Sequence, residues 1–97
     1  MMVLPTTYTT SVAPDSARCA AALDIPSSAG SATASYTITI TPSSGARYRR
    51  SLTVDWGAHR GRTADLGTYA TSGGHVEIRQ TMAPAGKAAL RLDCWSG

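Results

Sequence analysis

The chain has 97 residues, a net charge of +3 and 42% hydrophobic residues. A chain of this length forms a single domain that buries only about 60–65% of its unfolded surface, so its stability margin is small. Its longest apolar run, residues 19–23, is far too short for a transmembrane helix, and we expect no membrane partner.

The N-terminal segment favours extended structure. Residues 5–14 begin and end with proline, and the residues between are mostly β-branched or aromatic, types that favour strands. They alternate as in a strand, with Tyr8, Thr10 and Val12 on one face and Thr7, Thr9 and Ser11 on the other. We therefore divide the chain into an extended segment, residues 1–14, and a single β-sandwich domain, residues 15–97. The segment is an edge strand or a tail, or it pairs with the sheet edge of a partner protein.

The next stretch, residues 15–25, fits two structures. Asp15 could cap a short helix that contains three consecutive alanines. Against this, Pro26 disfavours helix at the residue before it. The residues before Pro26 also alternate as in a strand, with Cys19, Ala21, Leu23 and Ile25 on one face and Arg18, Ala20, Ala22 and Asp24 on the other. We favour a strand, which places Cys19 on the apolar face.

Residues 34–56 carry the strongest pattern in the sequence. Apolar and polar residues alternate on both sides of the turn-forming run 42–45, which is typical of two strands joined in a hairpin. The pattern predicts that this hairpin is the centre of the fold. Its predicted core residues are Ile38, Ile40, Leu52, Val54 and Trp56.

The second half of the chain contains three further predicted strands, residues 63–70, 75–82 and 88–95. Gly67 interrupts the first of them and indicates a bulge. The paired glycines of Thr71–Gly74 predict a hairpin turn, and 83–86 predicts another turn. The alternation in the second strand places Met82 on its apolar face.

These elements predict an all-β fold, an antiparallel β-sandwich of six or seven short strands with an immunoglobulin-like layout. No long helix or alternation of strands and helices is predicted. The spacing typical of antibody domains is absent, because no tyrosine lies two residues before Cys94. We therefore predict the sandwich architecture and not membership of the antibody-domain family.

Cys19 and Cys94 are the only cysteines, and neither lies in a metal-binding motif. A disulfide between them would close a loop of about 75 residues, which the chain-entropy model values at about 4 kcal/mol. We favour this disulfide, which implies a secreted protein; unpaired thiols would instead imply a cytosolic one. Because Pro5 follows Leu4 at once, no signal peptide is visible, and we expect a mature chain with an added start methionine.

No catalytic motif is present, and we expect no enzymatic activity, metal or cofactor. His59 and His75 are the only histidines, and a zinc site would need them to converge with a cysteine. Asp55, Asp65 and Glu77 could supply a carboxylate pair for glycoside hydrolysis, but we interpret them as solvated positions on strands.

Positive charge is concentrated in one segment. Five arginines and His59 lie within residues 47–62, where Asp55 is the only acidic residue. If the loops before and after strand 48–56 lie at opposite ends of the sandwich, this charge splits into two groups. That split argues against a nucleic-acid partner, because nucleic acid requires a continuous basic stripe. The other interpretations of this charge are contact with an acidic protein, contact with an anionic cell-wall polymer, and a solvated surface without a partner.

Trp95 follows Cys94, so strand alternation directs it away from the disulfide face. An exposed tryptophan suits a binding surface, whereas a structural role would be to cover the sandwich edge. The candidate binding residues are Tyr8, Arg47, Arg49, His59, Arg60, Arg62 and Trp95.

The composition is that of a protein from a high-GC bacterial genome, since the chain has no Asn or Phe and one Lys against eight Arg. The layout is a proline-bracketed, strand-like N-terminus before a small disulfide-closed sandwich. It resembles small secreted interaction proteins of high-GC Gram-positive bacteria, including the adaptor subunits of antibacterial toxin particles. The resemblance implies a non-enzymatic module that binds another protein within a secreted assembly, through the N-terminal segment or the basic loop.

Two alternative functions remain open. In a secreted hydrolase inhibitor, the loop 57–62 would enter the partner's cleft, with Arg60 or Arg62 as the inserted side chain. In a carbohydrate or cell-wall binding module, Trp95 and a tyrosine would form the platform on which a sugar stacks.

Overall fold

The computed structural model describes residues 2–3, 7–83 and 88–96. Within these ranges the chain forms eight strands and one short 3₁₀ turn, Gly57–His59. The strands are β1 (Met2–Val3), β2 (Thr7–Val12), β3 (Arg18–Asp24), β4 (Thr33–Thr41), β5 (Tyr48–Asp55), β6 (Thr63–Ala70), β7 (Gly74–Thr81) and β8 (Ala89–Trp95).

The strands form two antiparallel four-stranded sheets that enclose one hydrophobic core. Sheet A has the order β1-β8-β3-β6, and sheet B has the order β2-β7-β4-β5. Every pair of neighbours is antiparallel. The predicted all-β sandwich is therefore confirmed. The strand preferred for residues 15–25 is present as β3.

The strand order differs from that of an immunoglobulin domain. In a constant-type immunoglobulin domain, the last strand, G, pairs with the strand before it, F, in the sheet C-F-G. Here β8 pairs with β3, while β2 occupies the position beside β7. The immunoglobulin-like layout is therefore not confirmed.

The predicted hairpin of residues 34–56 is confirmed, because β4 and β5 pair directly, from Thr33 opposite Asp55 to Ile40 opposite Tyr48. Four of its five predicted core residues are buried, and Leu52 is half-buried against the core. These four are Ile38, Ile40, Val54 and Trp56.

Three polar side-chain groups are linked in a chain inside the sandwich. The Trp56 Nε1–H donates to the Tyr36 hydroxyl over 3.0 Å, and this hydroxyl donates to Gln80 Oε1 over 2.6 Å. Each buried donor thus has an acceptor, which removes the cost of burying an unpaired polar group. This row of hydrogen bonds links β4, β7 and the end of β5.

The predicted disulfide is confirmed. Cys19 on β3 and Cys94 on β8 are directly opposite in the antiparallel register, with their Cα atoms 4.1 Å apart. This separation suits the closely spaced, non-hydrogen-bonded pairs of an antiparallel ladder. The bond therefore joins neighbouring strands of one sheet, where Cys19 is fully buried.

The hairpin predicted at Thr71–Gly74 is wrong. The two glycines do adopt positive φ angles, but the strands they connect lie in different sheets, β6 in sheet A and β7 in sheet B. The turn therefore carries the chain across the sandwich. The physical reason is that a turn sequence fixes a local backbone path and not the partner of the following strand.

Two further predictions concern β6 and β7. The bulge predicted at Gly67 is confirmed, since the register with β3 shifts between Ala21 and Ala22. The apolar placement of Met82 is wrong: β7 ends at Thr81, and the Met82 side chain is 77% exposed. The turn predicted at 83–86 lies largely outside the described residues.

Gly74 is the first residue of β7, where the chain enters sheet B after crossing from sheet A. A Cβ at this position would lie 1.9 Å from the Thr41 carbonyl oxygen, and its φ is +81°. We expect Gly74→Ala to lower the free energy of unfolding by about 4 kcal/mol or more. The measurement is urea unfolding followed by tryptophan fluorescence.

Gly45→Ala is the matched control. Its φ is +109°, but a Cβ there would have no atom within 4 Å. Only backbone strain of about 1–3 kcal/mol is expected. Equal losses in the two variants would contradict the close approach of β7 to β4.

We expect Tyr36 to make the free energy of unfolding depend on pH in the alkaline range. Burial raises the pKa of its hydroxyl above the usual 10.0, and the hydrogen bond from Trp56 offsets part of this effect. The neutral phenol is thus favoured in the folded state, and its contribution is complete below pH 10. As the pH rises beyond that, the unfolded state ionises first and the free energy of unfolding falls, by up to about 1.4 kcal/mol per pH unit for this group.

The check compares urea unfolding of the wild type and Tyr36→Phe from neutral to alkaline pH. At neutral pH the variant loses about 1–3 kcal/mol, because Trp56 Nε1 lacks its acceptor. Above pH 10 its stability should decline less steeply than that of the wild type. Identical slopes would show that Tyr36 does not titrate differently in the two states.

Candidate binding face

The outer face of sheet B is built by strand alternation. On each of its four strands, alternate side chains enter the core, and the side chains between them project to the opposite side. The antiparallel register aligns the outer residues in rows across the sheet. These rows are Thr7–Arg79–Thr37–Ser51, Thr9–Glu77–Thr39–Arg49 and Ser11–His75–Thr41.

A groove of about 340 Å³ lies on this face. All of its lining side chains are polar, and four of the nine are threonines. They are Thr9, Thr37, Thr39, Thr41, Arg47, Arg49, His75, Glu77 and Arg79. We call this set the threonine–arginine groove.

The groove carries an excess of positive charge. Arg47 and Arg49 come from the β5 side and Arg79 from the central strand β7, whereas Glu77 is its one carboxylate. In the part of the chain that the structure describes, the one salt bridge joins Arg91 to Asp24 over 2.9 Å, on sheet A. Within those same residues, the groove guanidinium groups form no ion pair and are free to meet an external anion.

The structure separates four of the five arginines of residues 47–62 into two groups, as the sequence predicts for loops at opposite ends of β5, and Arg50 lies apart from both, at the side of the sandwich. Arg47 and Arg49 lie in the groove, and Arg60 and Arg62 follow the far end of the strand. The distance along the eight residues of β5 is about 25 Å. The two groups therefore cannot form one continuous basic surface.

The loop 57–62 is held within the domain. Arg60 Nε donates to the Ala29 carbonyl over 2.8 Å, and His59 Nδ1 lies 2.9 Å from the Asp55 carbonyl oxygen. Asp55 Oδ1 accepts the amide of Gly57 over 3.0 Å. These contacts give His59, Arg60 and Asp55 structural roles in the loop, which disfavours Arg60 as an inserted inhibitory side chain.

The other two candidate residues lie on different surfaces. Tyr8 is half-buried on the inner side of β2 and packs against the core. Trp95 is 41% exposed at the end of β8, opposite Arg18 on sheet A, as its predicted orientation requires. Neither residue lines the groove.

A second cleft, of about 450 Å³, opens at the side of the sandwich between β5 and β6. The Arg50 guanidinium lies over the Tyr48 ring, 5.2 Å from its centroid, and the Tyr48 hydroxyl donates to the Ala70 carbonyl. Arg18 is also in its lining. Because its aromatic groups already have partners within the domain, this cleft is a weaker candidate than the groove.

The acidic and histidine side chains do not converge on one site. His59 lies beside the start of β4 and His75 opposite its end. Asp65 accepts the amide of Gly67 over 2.9 Å at the bulge. Within residues 2–3, 7–83 and 88–96, no group of three His, Cys, Asp or Glu residues could hold a metal ion.

Sequence reasoning missed the contribution of β7 to the groove. The alternation does place His75, Glu77 and Arg79 on one polar face of their strand, and the threonines of β4 on another. The missing information was that β7 lies beside β4, which brings Arg79 and Arg49 onto the same face. That pairing depends on the crossover at residues 71–74.

Comparison with protein-family models, curated proteins and solved structures finds no match to this chain. In the described part of the chain, no helix is long and apolar enough to cross a membrane.

Proposed function

We propose that this protein is a secreted, non-catalytic interaction module that binds an acidic partner protein through the threonine–arginine groove. The observation that carries the proposal is the set of three arginines and one histidine around a polar groove with a single carboxylate, Glu77. Secretion is supported by the Cys19–Cys94 disulfide, because disulfides persist in oxidising compartments.

The chemistry of the groove suits carboxylates. A guanidinium group presents a planar set of N–H donors that pairs with both oxygens of a carboxylate. The threonine hydroxyls between the arginines both donate and accept, so they can meet the peptide groups of a partner. The sheet holds these groups on a rigid backbone, which limits the entropy lost on binding.

The position of Glu77 favours a protein over an anionic polymer. Glu77 lies in the middle row, between Thr9 and Thr39, with Arg49 at the end of the same row. A uniformly anionic chain laid across the groove would place an anion opposite this carboxylate and lose part of its attraction to the arginines, so it would bind only at low salt. A folded partner can place a donor opposite Glu77 and carboxylates opposite the arginines.

The test uses poly-L-glutamate as a carboxylate probe and inorganic polyphosphate as the polymer comparison, at low salt. We expect the triple variant Arg47→Gln, Arg49→Gln, Arg79→Gln to bind poly-L-glutamate about tenfold or more weakly, since exposed ion pairs contribute up to about 1 kcal/mol each. The measurement is fluorescence anisotropy of the labelled probe.

The control is the triple variant Arg18→Gln, Arg50→Gln, Arg62→Gln. It removes the same charge from three exposed arginines that lie outside the groove. It should retain most of the affinity. Equal losses in both variants would show attraction by net charge alone, and preferential binding of polyphosphate would overturn the assignment to a protein partner.

A further inference from the structure

The outer edges of the two sheets differ in how they are protected against pairing with a strand of another chain. Edge strands expose unpaired N–H and C=O groups, and proteins usually block them with charges, bulges or a covering segment. In the described residues, β5 presents Arg49 and Arg50 at its edge, and β6 is interrupted by the bulge at Gly67. The edge of β8 is covered at one end by β1 and carries Arg91 and Asp93 beyond it.

In the part of the chain that the structure describes, β2 has none of these devices. Its six residues, Thr7–Val12, contain no charged residue and no proline. Its register with β7 runs without a break from Thr7 opposite Arg79 to Val12 opposite Gly74. Within residues 2–3, 7–83 and 88–96, β7 is its only strand partner. β2 is thus a regular strand with one free edge.

We propose that the free edge of β2 pairs antiparallel with β2 of a second copy of this chain, so that the two copies of sheet B form one continuous eight-stranded sheet. A symmetric pair of this kind closes on itself as a dimer. It adds backbone hydrogen bonds to groups that are otherwise exposed at the edge.

The charge distribution favours a second copy as the occupant. A twofold axis brings each residue close to its own counterpart, so a charged edge repels itself. Pairing through β5 would bring Arg49 and Arg50 towards their own copies, whereas β2 is neutral along its length. A strand from an acidic partner would gain no electrostatic attraction from this neutral edge.

The register also suits self-pairing. Directly opposite residues of an antiparallel pair share a face, so the symmetric registers place outward side chains opposite outward side chains. With the twofold axis at Thr9, Thr7 of one copy lies opposite Ser11 of the other. The side chains of Thr7, Thr9 and Ser11 are all exposed. Cross-strand pairs of Thr and Ser are favourable in sheets.

The dimer leaves the threonine–arginine groove open. Thr9 is the one groove residue on β2, and pairing through the backbone edge leaves its side chain on the outer face. Arg47 and Arg49 lie on the β5 side of sheet B, away from β2. A twofold axis perpendicular to the sheet keeps both outer faces on the same side, so the two grooves would face one direction. Self-association and binding at the groove therefore have separate readouts.

The experiment is sedimentation velocity across a wide range of protein concentration, with no anionic probe present. The wild type is expected to shift from a monomer of 10.1 kDa towards a species of twice that mass. The double variant Thr7→Lys, Ser11→Lys should remain monomeric, because its lysines face each other across the axis.

The control is Ser51→Lys, Thr53→Lys, which adds the same charge at exposed positions of β5, the opposite edge of sheet B. It should dimerise like the wild type. Thermal unfolding of each variant verifies that it is folded before its mass is compared. A wild type that is monomeric at every concentration, or a control that dissociates as fully as the β2 variant, would overturn the proposal.

Discussion

The disulfide between Cys19 and Cys94 is the constraint on which the placement of the last strand depends. β8 pairs along its full length only with β3, and on its other side β1 contributes two residues. The bond joins residues 75 positions apart, and the chain-entropy model values this closure at about 4–5 kcal/mol. For a domain of 97 residues that is a large share of the expected stability. Without the bond, β8 would be held by its seven-residue ladder with β3 and by the burial of Leu90, and the free energy of unfolding would fall by about that amount.

The set of side chains that lines the threonine–arginine groove follows from the packing of sheet B. In the central strands of sheet B, Ile38 and Ile78 are directly opposite each other in the core, and the next row places Thr39 opposite Glu77 on the outer side. A one-residue slip of this pairing would exchange the two faces, exposing the isoleucines. The burial of the core therefore fixes which side chains line the groove. The hydrogen-bonded chain from Trp56 through Tyr36 to Gln80 adds a directional constraint on the same register.

Predictions from sequence succeeded where the determining contacts are local or where only one pairing was possible. The β4–β5 hairpin has its turn and both alternating strands within one stretch, and the disulfide had a single possible pairing. They failed where the neighbour of a strand is decided by packing across the sandwich. The glycines at 73 and 74 were correctly interpreted as a turn, yet β7 then joins the sheet opposite to β6. Arg49 was a candidate from its charge, but the proximity of Arg79 and His75 could not be read from the sequence.

Binding at the threonine–arginine groove can be mapped residue by residue by NMR. Poly-L-glutamate is added to the isotope-labelled protein, and the amide chemical shifts are followed. We expect concentration-dependent shifts at Thr39, Arg49 and Glu77, with little change in the loop 57–62. Shifts concentrated at Arg60 and Arg62, or spread evenly over every exposed arginine, would contradict the assignment of the groove as the binding site.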